Sequence, residues 1–204
     1  MSYFCDVGPV FVEAIKSVEN NLALAKKAGE YKQADGEWRW FPGRSPEGGL
    51  PTLAWGHKLT SREWETKRID VGNDVTKDFR YGLTDAEVHK VLLQDLRKAE
   101  SQAEDDWDKY IGADQKMLWN TLPDKYKGVL INLCFNSGSL VKKGKWIWTT
   151  VARGIQLKDD TIVTKGMVTS YKRPDGVRVQ LTSRAVAIAK ALGLPWQTIS
   201  QKTT

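Results

Sequence analysis

Apolar residues recur at three- and four-residue steps over much of the chain, and each such stretch predicts a helix. From Pro9 to about Lys27, Val12, Ile15, Val18, Leu22 and Ala25 fall on one face with Glu13, Lys16 and Asn20 between them, the pattern of one amphipathic helix entered near Pro9. Thr60-Ser61-Arg62-Glu63 offers a capping box for a short helix reaching about Glu65. Thr84 and Glu87 offer a second box, opening a long helix whose stripe is Val88, Val91, Leu92 and Leu96 and which continues towards Ala103. Tyr126 to Phe135 is apolar almost throughout and is closed by Asn136-Ser137-Gly138, where Asn136 reads as a cap or turn residue. Trp146 and Trp148 open a further helix, Lys145 to about Arg153. The last runs from Leu181 to Leu192 and is stopped by Gly193 and Pro195.

Between these stretches the pattern changes. From Ser45 to Thr60 three glycines and two prolines force turns, while Leu50, Leu53 and Trp55 supply short apolar strand positions. The product is a small twisted hairpin that sets Glu47, Thr52 and His57 close together on a stiff backbone, as a reacting site requires. Asp35-Gly36 reads as a helix-stopping pair, and Asp70 to Phe79, polar and without period, reads as a loop. Asp159 to Val179 alternates around Pro174-Asp175-Gly176 and predicts an extra hairpin.

Composition narrows the class. At 204 residues, with 41% hydrophobic and 27% charged, the chain is an ordinary globular one with room for a single core or for two lobes sharing a helix. Nine tryptophans are unusual; indole rings fill cores and also serve as platforms for sugar rings. The net charge of +6 is uneven: Val141 to Thr204 holds 12 Lys and Arg against 3 Asp and no Glu. A basic C-terminal part suits a polyanionic partner and equally a solvated face. Cys5 and Cys134 are far apart, and Cys134 sits in an apolar run, the setting of a buried free thiol. No basic start followed by a long apolar run marks a signal peptide or membrane anchor. Two histidines and two separated cysteines make no usual metal-ligand set.

Three stretches carry a family resemblance. Thr52-Leu53-Ala54-Trp55-Gly56-His57 resembles the Thr-Ile-Gly-Tyr-Gly-His hairpin of the T4-type phage lysozymes. Thr84-Asp85-Ala86-Glu87 followed by Leu93-Gln94-Asp95 resembles the helix that follows it there, and Leu130 to Gly138 resembles the family's central buried helix. The resemblance implies a single α+β, lysozyme-like domain: a small β-containing lobe (residues 9–82), a connecting helix (83–103) and a larger helical lobe (104–204), with the cleft between the lobes. It also implies a muramidase that cleaves the β-1,4 bond between N-acetylmuramic acid and N-acetylglucosamine in peptidoglycan, needs no metal or cofactor, and acts as a monomer in phage lysis. Such an enzyme reaches the wall by way of a holin or inside the virion. The basic C-terminal part is a candidate for contact with an anionic envelope, and nucleic acid is not an expected partner.

Residue by residue, the resemblance makes Glu19 the general acid, Thr52 and the carboxylate of Glu47 the pair that positions water, and Asp95 the partner of His57. Arg184 falls where the family has an arginine paired with the acid, although it reads equally well as solvated. Glu37 lies at the more usual distance from Thr52 and is the alternative acid, but it has no helical apolar face before it. Glu19 reads otherwise as a surface residue bordering the core, and Glu47 as a turn residue. Trp38, Trp40 and Trp55 are candidates to line a sugar cleft, with core packing the alternative for about half of the aromatic residues around them. Water between acid and base implies inversion at the anomeric carbon. A lytic transglycosylase on a related fold and a non-catalytic binder of wall glycan or nucleic acid are the competing readings.

Overall fold

The protein was analysed as a computed structural model, which describes residues 8–19, 22–44, 50–112, 117–172 and 178–196. Its elements are helices and two-stranded antiparallel ribbons. The chain divides into two compact units, one formed by residues 15–98 with 172–177, the other by residues 1–14, 99–171 and 178–204.

The first unit opens with the end of helix α1 (Pro9–Glu19), followed by α2 (Leu22–Ala28). Of the helix expected over Pro9 to Lys27 the described residues are helical, Asn20 and Asn21 lie outside them, and Leu22, placed on the apolar face by its spacing, is exposed. Val12, Ile15 and Ala25 are buried as the period requires. Strands β1 (Tyr31–Ala34) and β2 (Glu37–Trp40) then form a hairpin joined by Asp35 and Gly36. Both turn residues have positive φ, 52° and 81°, so the pair is not a helix stop but a two-residue turn with the twist a hairpin needs.

Strands β3 (Thr52–Leu53) and β4 (His57–Lys58) pair next, Thr52 opposite Lys58 and Leu53 opposite His57. The capping box at Thr60 is formed: Glu63 N–H donates to Thr60 Oγ1 at 3.2 Å and Thr60 N–H to Glu63 Oε2 at 2.7 Å, opening α3 (Ser61–Thr66). The polar stretch expected to be a loop is a third ribbon, β5 (Arg68–Asp70) with β6 (Thr76–Asp78). Only Ile69 and Val71 are buried around its first strand, too few positions for a period to register. Thr84 and Glu87 cap the long helix α4 (Asp85–Trp107), which runs past Ala103 before a π-turn at Asp108–Gly112. The unit's core joins Trp40, Leu53, Leu59, Phe79, Leu83 and Val88.

The second unit is built on α5 (Asp124–Ser137), in which Val129 to Cys134 are buried without interruption. Cys134 is a buried free thiol whose pKa is pushed up to about 12, by burial first and then by the charge of Asp106. Asn136 is not a cap: it lies inside α5, its side-chain amide donating to Asn132 O at 2.7 Å. Lys145 and Trp146 belong to a ribbon, β7 (Val141–Lys142) with β8 (Lys145–Trp146), turned by Lys143 and Gly144 at positive φ; helix α6 begins only at Thr149 and ends at Leu157. The alternation read from Asp159 is helical at first, in α7 (Asp160–Gly166), because Asp159 accepts from the backbone N–H groups of Thr161 and Ile162 and caps it. Strands β9 (Ser170–Lys172) and β10 (Arg178–Gln180) pair as the expected hairpin, whose turn Pro174-Asp175-Gly176 lies outside the described residues, as does Cys5. Helix α8 (Thr182–Ala191) closes the unit. Among the described residues no helix is long and apolar enough to cross a membrane.

Candidate functional site

Glu19 is the last residue of α1, and its carboxylate reaches the turn of the β3–β4 hairpin. A Cβ built on Gly56 would stand 3.0 Å from Glu19 Oε2, so the carboxylate lies in tight contact with the turn. The spacing from helix end to hairpin, long in sequence, is thus short in space. Thr52, half-buried, lies on the same hairpin. Glu37, the alternative acid, has a side chain 63% exposed and an ion pair with Arg39 at 3.0 Å, on the outer hairpin β1–β2. Glu47 lies outside the described residues.

The hairpin is pinned through His57. Nδ1 faces Asp95 Oδ2 of α4 at 2.6 Å, and Nε2 faces Glu63 Oε2 of α3 at 3.3 Å. Carboxylates at both ring nitrogens require both to carry protons, so the ring is an imidazolium. Burial alone would lower the His57 pKa, but hydrogen bonds and charge from Asp95 and Glu63 outweigh it and hold the group up at about 9. Burial would likewise raise the Glu63 pKa; its bonds to His57 and Thr60 bring it down to about 2. Asp95 is the residue expected from the sequence to face His57, whereas Glu63, noticed there only as a helix cap, is a second partner.

A row of rings runs from the outer hairpin to the site: Trp38 stacks on Tyr31 at 5.1 Å, Tyr31 meets Trp40 at 4.7 Å, and Trp40 meets Trp55 at 5.4 Å. Trp40 is 0% exposed and donates from Nε1 to Asp85 Oδ1 at 2.7 Å, so it is a core residue and not a cleft residue. Asp85 also accepts from the Tyr31 hydroxyl at 3.2 Å, which fastens the outer hairpin to the start of α4. Trp38, 42% exposed with Lys26 Nζ 4.2 Å above its ring, and half-buried Trp55, with Lys16 Nζ at 4.8 Å, keep surface for a ligand.

A further carboxylate, unmarked by any pattern in the chain, enters the site. Gly43 bridges Thr52 in antiparallel fashion, and Glu30 lies so close to Gly43 that a Cβ there would stand 1.9 Å from its Oε1. The only sequence signal was the glycine itself. Arg184, in the other unit, is buried and not solvated: its Nε and Nη2 donate to Asn132 Oδ1 at 3.2 and 3.1 Å. Among the described residues no group of three or more His, Cys, Asp and Glu side chains is arranged to hold a metal ion.

No protein-family model, no curated protein and no solved structure matches this chain. What the residues themselves define is a chain of helices and small ribbons carrying a helix-end carboxylate against a pinned, threonine-bearing hairpin.

Proposed function

We propose that the chain is a glycoside hydrolase of lysozyme type. More particularly, it is a muramidase that hydrolyses the β-1,4 bond between N-acetylmuramic acid and N-acetylglucosamine in peptidoglycan and serves phage lysis of a bacterial host. The observation that carries this reading is the approach of Glu19 to Gly56, which puts a carboxylic acid beside the Thr52 hairpin within one compact unit. Breaking a glycosidic bond needs a proton for the leaving oxygen, stabilisation of a cationic sugar centre, and water delivered to the opposite face. Glu19 supplies the proton, and Thr52 helps to hold the water. The His57 clamp is a positioning device, since it fixes the hairpin that carries Thr52 and Gly56 to α3 and α4. The solvent-facing parts of Trp38 and Trp55 offer apolar surface for sugars, with Lys26 and Lys16 beside them to meet sugar hydroxyls.

The test is digestion of purified peptidoglycan followed by analysis of the chain ends released. New reducing ends on N-acetylmuramic acid are the expected result. Ends carrying an intramolecular anhydro ring would instead make the protein a lytic transglycosylase, and binding without any release would make it a wall-binding module.

A further inference from the structure

Gly43 and Thr52 exchange both backbone hydrogen bonds, Gly43 N–H donating to Thr52 O at 2.8 Å and Thr52 N–H to Gly43 O at 3.0 Å. Residues paired in this way across an antiparallel bridge send their side chains to the same face, with Cβ positions about 5.5 Å apart. Residue 43 has no side chain, and the carboxylate of Glu30 fills its place: Oε1, Cδ and Cγ lie 1.9, 2.1 and 2.7 Å from where a Cβ would be. Glu30 therefore stands on the face towards which the Thr52 side chain points, a separation that one water can span. Its backbone is fixed from both sides, Glu30 N–H donating to Ala25 O at 2.9 Å and Phe41 N–H donating to Glu30 O at 2.7 Å. Both Glu30 and Thr52 are half-buried, sheltered yet open to water.

We infer that Glu30 is the carboxylate that, together with Thr52, holds and deprotonates the attacking water in the hydrolysis proposed above, an assignment that rests on that reading. Glu19 gives its proton to the glycosidic oxygen, the C1–O bond breaks, and its electron pair stays on the departing oxygen. The oxygen of water bonds to C1 from the other face while one of its protons passes to Glu30. Glu19 is left as a carboxylate and Glu30 as an acid, and exchange with solvent resets both. A carboxylate pair divided in this way, with water between, inverts the anomeric centre. Glu30 thus takes the role that resemblance alone would give to Glu47.

The test compares wild type, Glu30→Gln, Glu30→Ala, Glu47→Gln and Gly43→Ala on purified peptidoglycan, with folding followed by circular dichroism. Glu30→Gln is expected to lose about 100-fold or more in kcat with KM little changed and to lose the acidic limb of the pH profile. Gly43→Ala probes the same contact without touching the carboxylate, because its methyl group displaces the end of a flexible side chain; a loss of at least tenfold in kcat in a folded protein is expected. Azide, which attacks C1 without needing a base, is expected to restore turnover to Glu30→Ala and to yield a glycosyl azide, a product that a merely structural glutamate would not give. A Glu30→Gln variant within threefold of the wild type, or a loss confined to Glu47→Gln, would overturn the assignment while leaving the hydrolase intact. A wild type that releases no chain ends would remove the reaction and the assignment together.

Discussion

In the unit that carries the candidate site, a half-buried histidine is met by two carboxylates. His57 stands between Asp95 and Glu63, and Glu63 also accepts from Thr60 N–H and Oγ1 at 2.7 and 2.8 Å. In the other unit, buried Asp106 is met by neutral donors: Leu140 N–H at 2.7 Å, Ser139 Oγ at 2.8 Å and Gln102 Nε2 at 2.9 Å. Arg184 donates to the amide oxygen of Asn132. The two arrangements respond differently to pH. Amides and hydroxyls keep their protons across the alkaline range, whereas an imidazolium does not. The clamp under the site therefore titrates on the alkaline side, whereas the donors to Asp106 do not.

Three substitutions separate these behaviours, beginning with the largest effect. Asp106→Ala strands the buried Leu140 N–H and two side-chain donors, and a loss of about 3–5 kcal/mol is expected by analogy with broken buried charge networks. In denaturant titrations that loss should be the same at pH 6 and at pH 9.5; a loss that shrinks at alkaline pH would place the titrating group in this unit after all.

The His57 clamp comes next. Its folded pKa of about 9 lies above the ordinary 6.5, so its contribution is complete below pH 6.5 and is lost as pH rises through 9. At 1.36 kcal/mol per pH unit the shift corresponds to about 3 kcal/mol. Glu63, drawn down from 4.5 to about 2, gives the acidic counterpart, present above pH 4.5 and lost as pH falls through 2. Both describe one shared contact and do not add. Thermal unfolding of the wild type should show a plateau between about pH 4.5 and 6.5 and a decline towards pH 9. His57→Gln should lack the alkaline decline; a variant that retains it would show that another group is responsible.

Thr60→Ala is the mildest of the three. It removes an N-cap and one of the hydroxyl contacts of Glu63, and about 1 kcal/mol is expected. Equal loss at pH 6 and pH 9.5 would mean that the cap works independently of His57, while a smaller loss at pH 9.5 would show that cap and clamp share Glu63.

The elements were legible wherever chain chemistry is local. The boxes Thr60–Glu63 and Thr84–Glu87 begin helices as written, and the run Val129 to Cys134 is buried in one. The ribbons were harder. Lys145 and Trp146 look helical because Trp146, Ile147 and Trp148 are large and adjacent, yet the Lys143–Gly144 turn decides their conformation by its two positive φ angles. The same holds for Asp35–Gly36. In the site, the pairing of His57 with Asp95 was anticipated by resemblance. The contacts Glu19–Gly56 and Glu30–Gly43 are not legible, because each brings a carboxylate against a glycine of another segment, and no periodicity records that. That Trp40 is a core residue is not legible for a related reason: the carboxylate that accepts its indole N–H hydrogen bond, Asp85, lies 45 residues further on.

The most direct measurement is the rate of reducing-end release from purified peptidoglycan by the wild type, Glu19→Gln and Glu37→Gln, each checked for folding. Removing a general acid is expected to cost about 10²–10⁴-fold in rate. A folded Glu19→Gln that falls by this much, beside a Glu37→Gln that retains wild-type activity, is the outcome expected from a helix-end acid held against the hairpin. An active Glu19→Gln beside a dead Glu37→Gln would contradict it, placing the acid on the outer hairpin and reducing the approach of Glu19 to Gly56 to a packing contact.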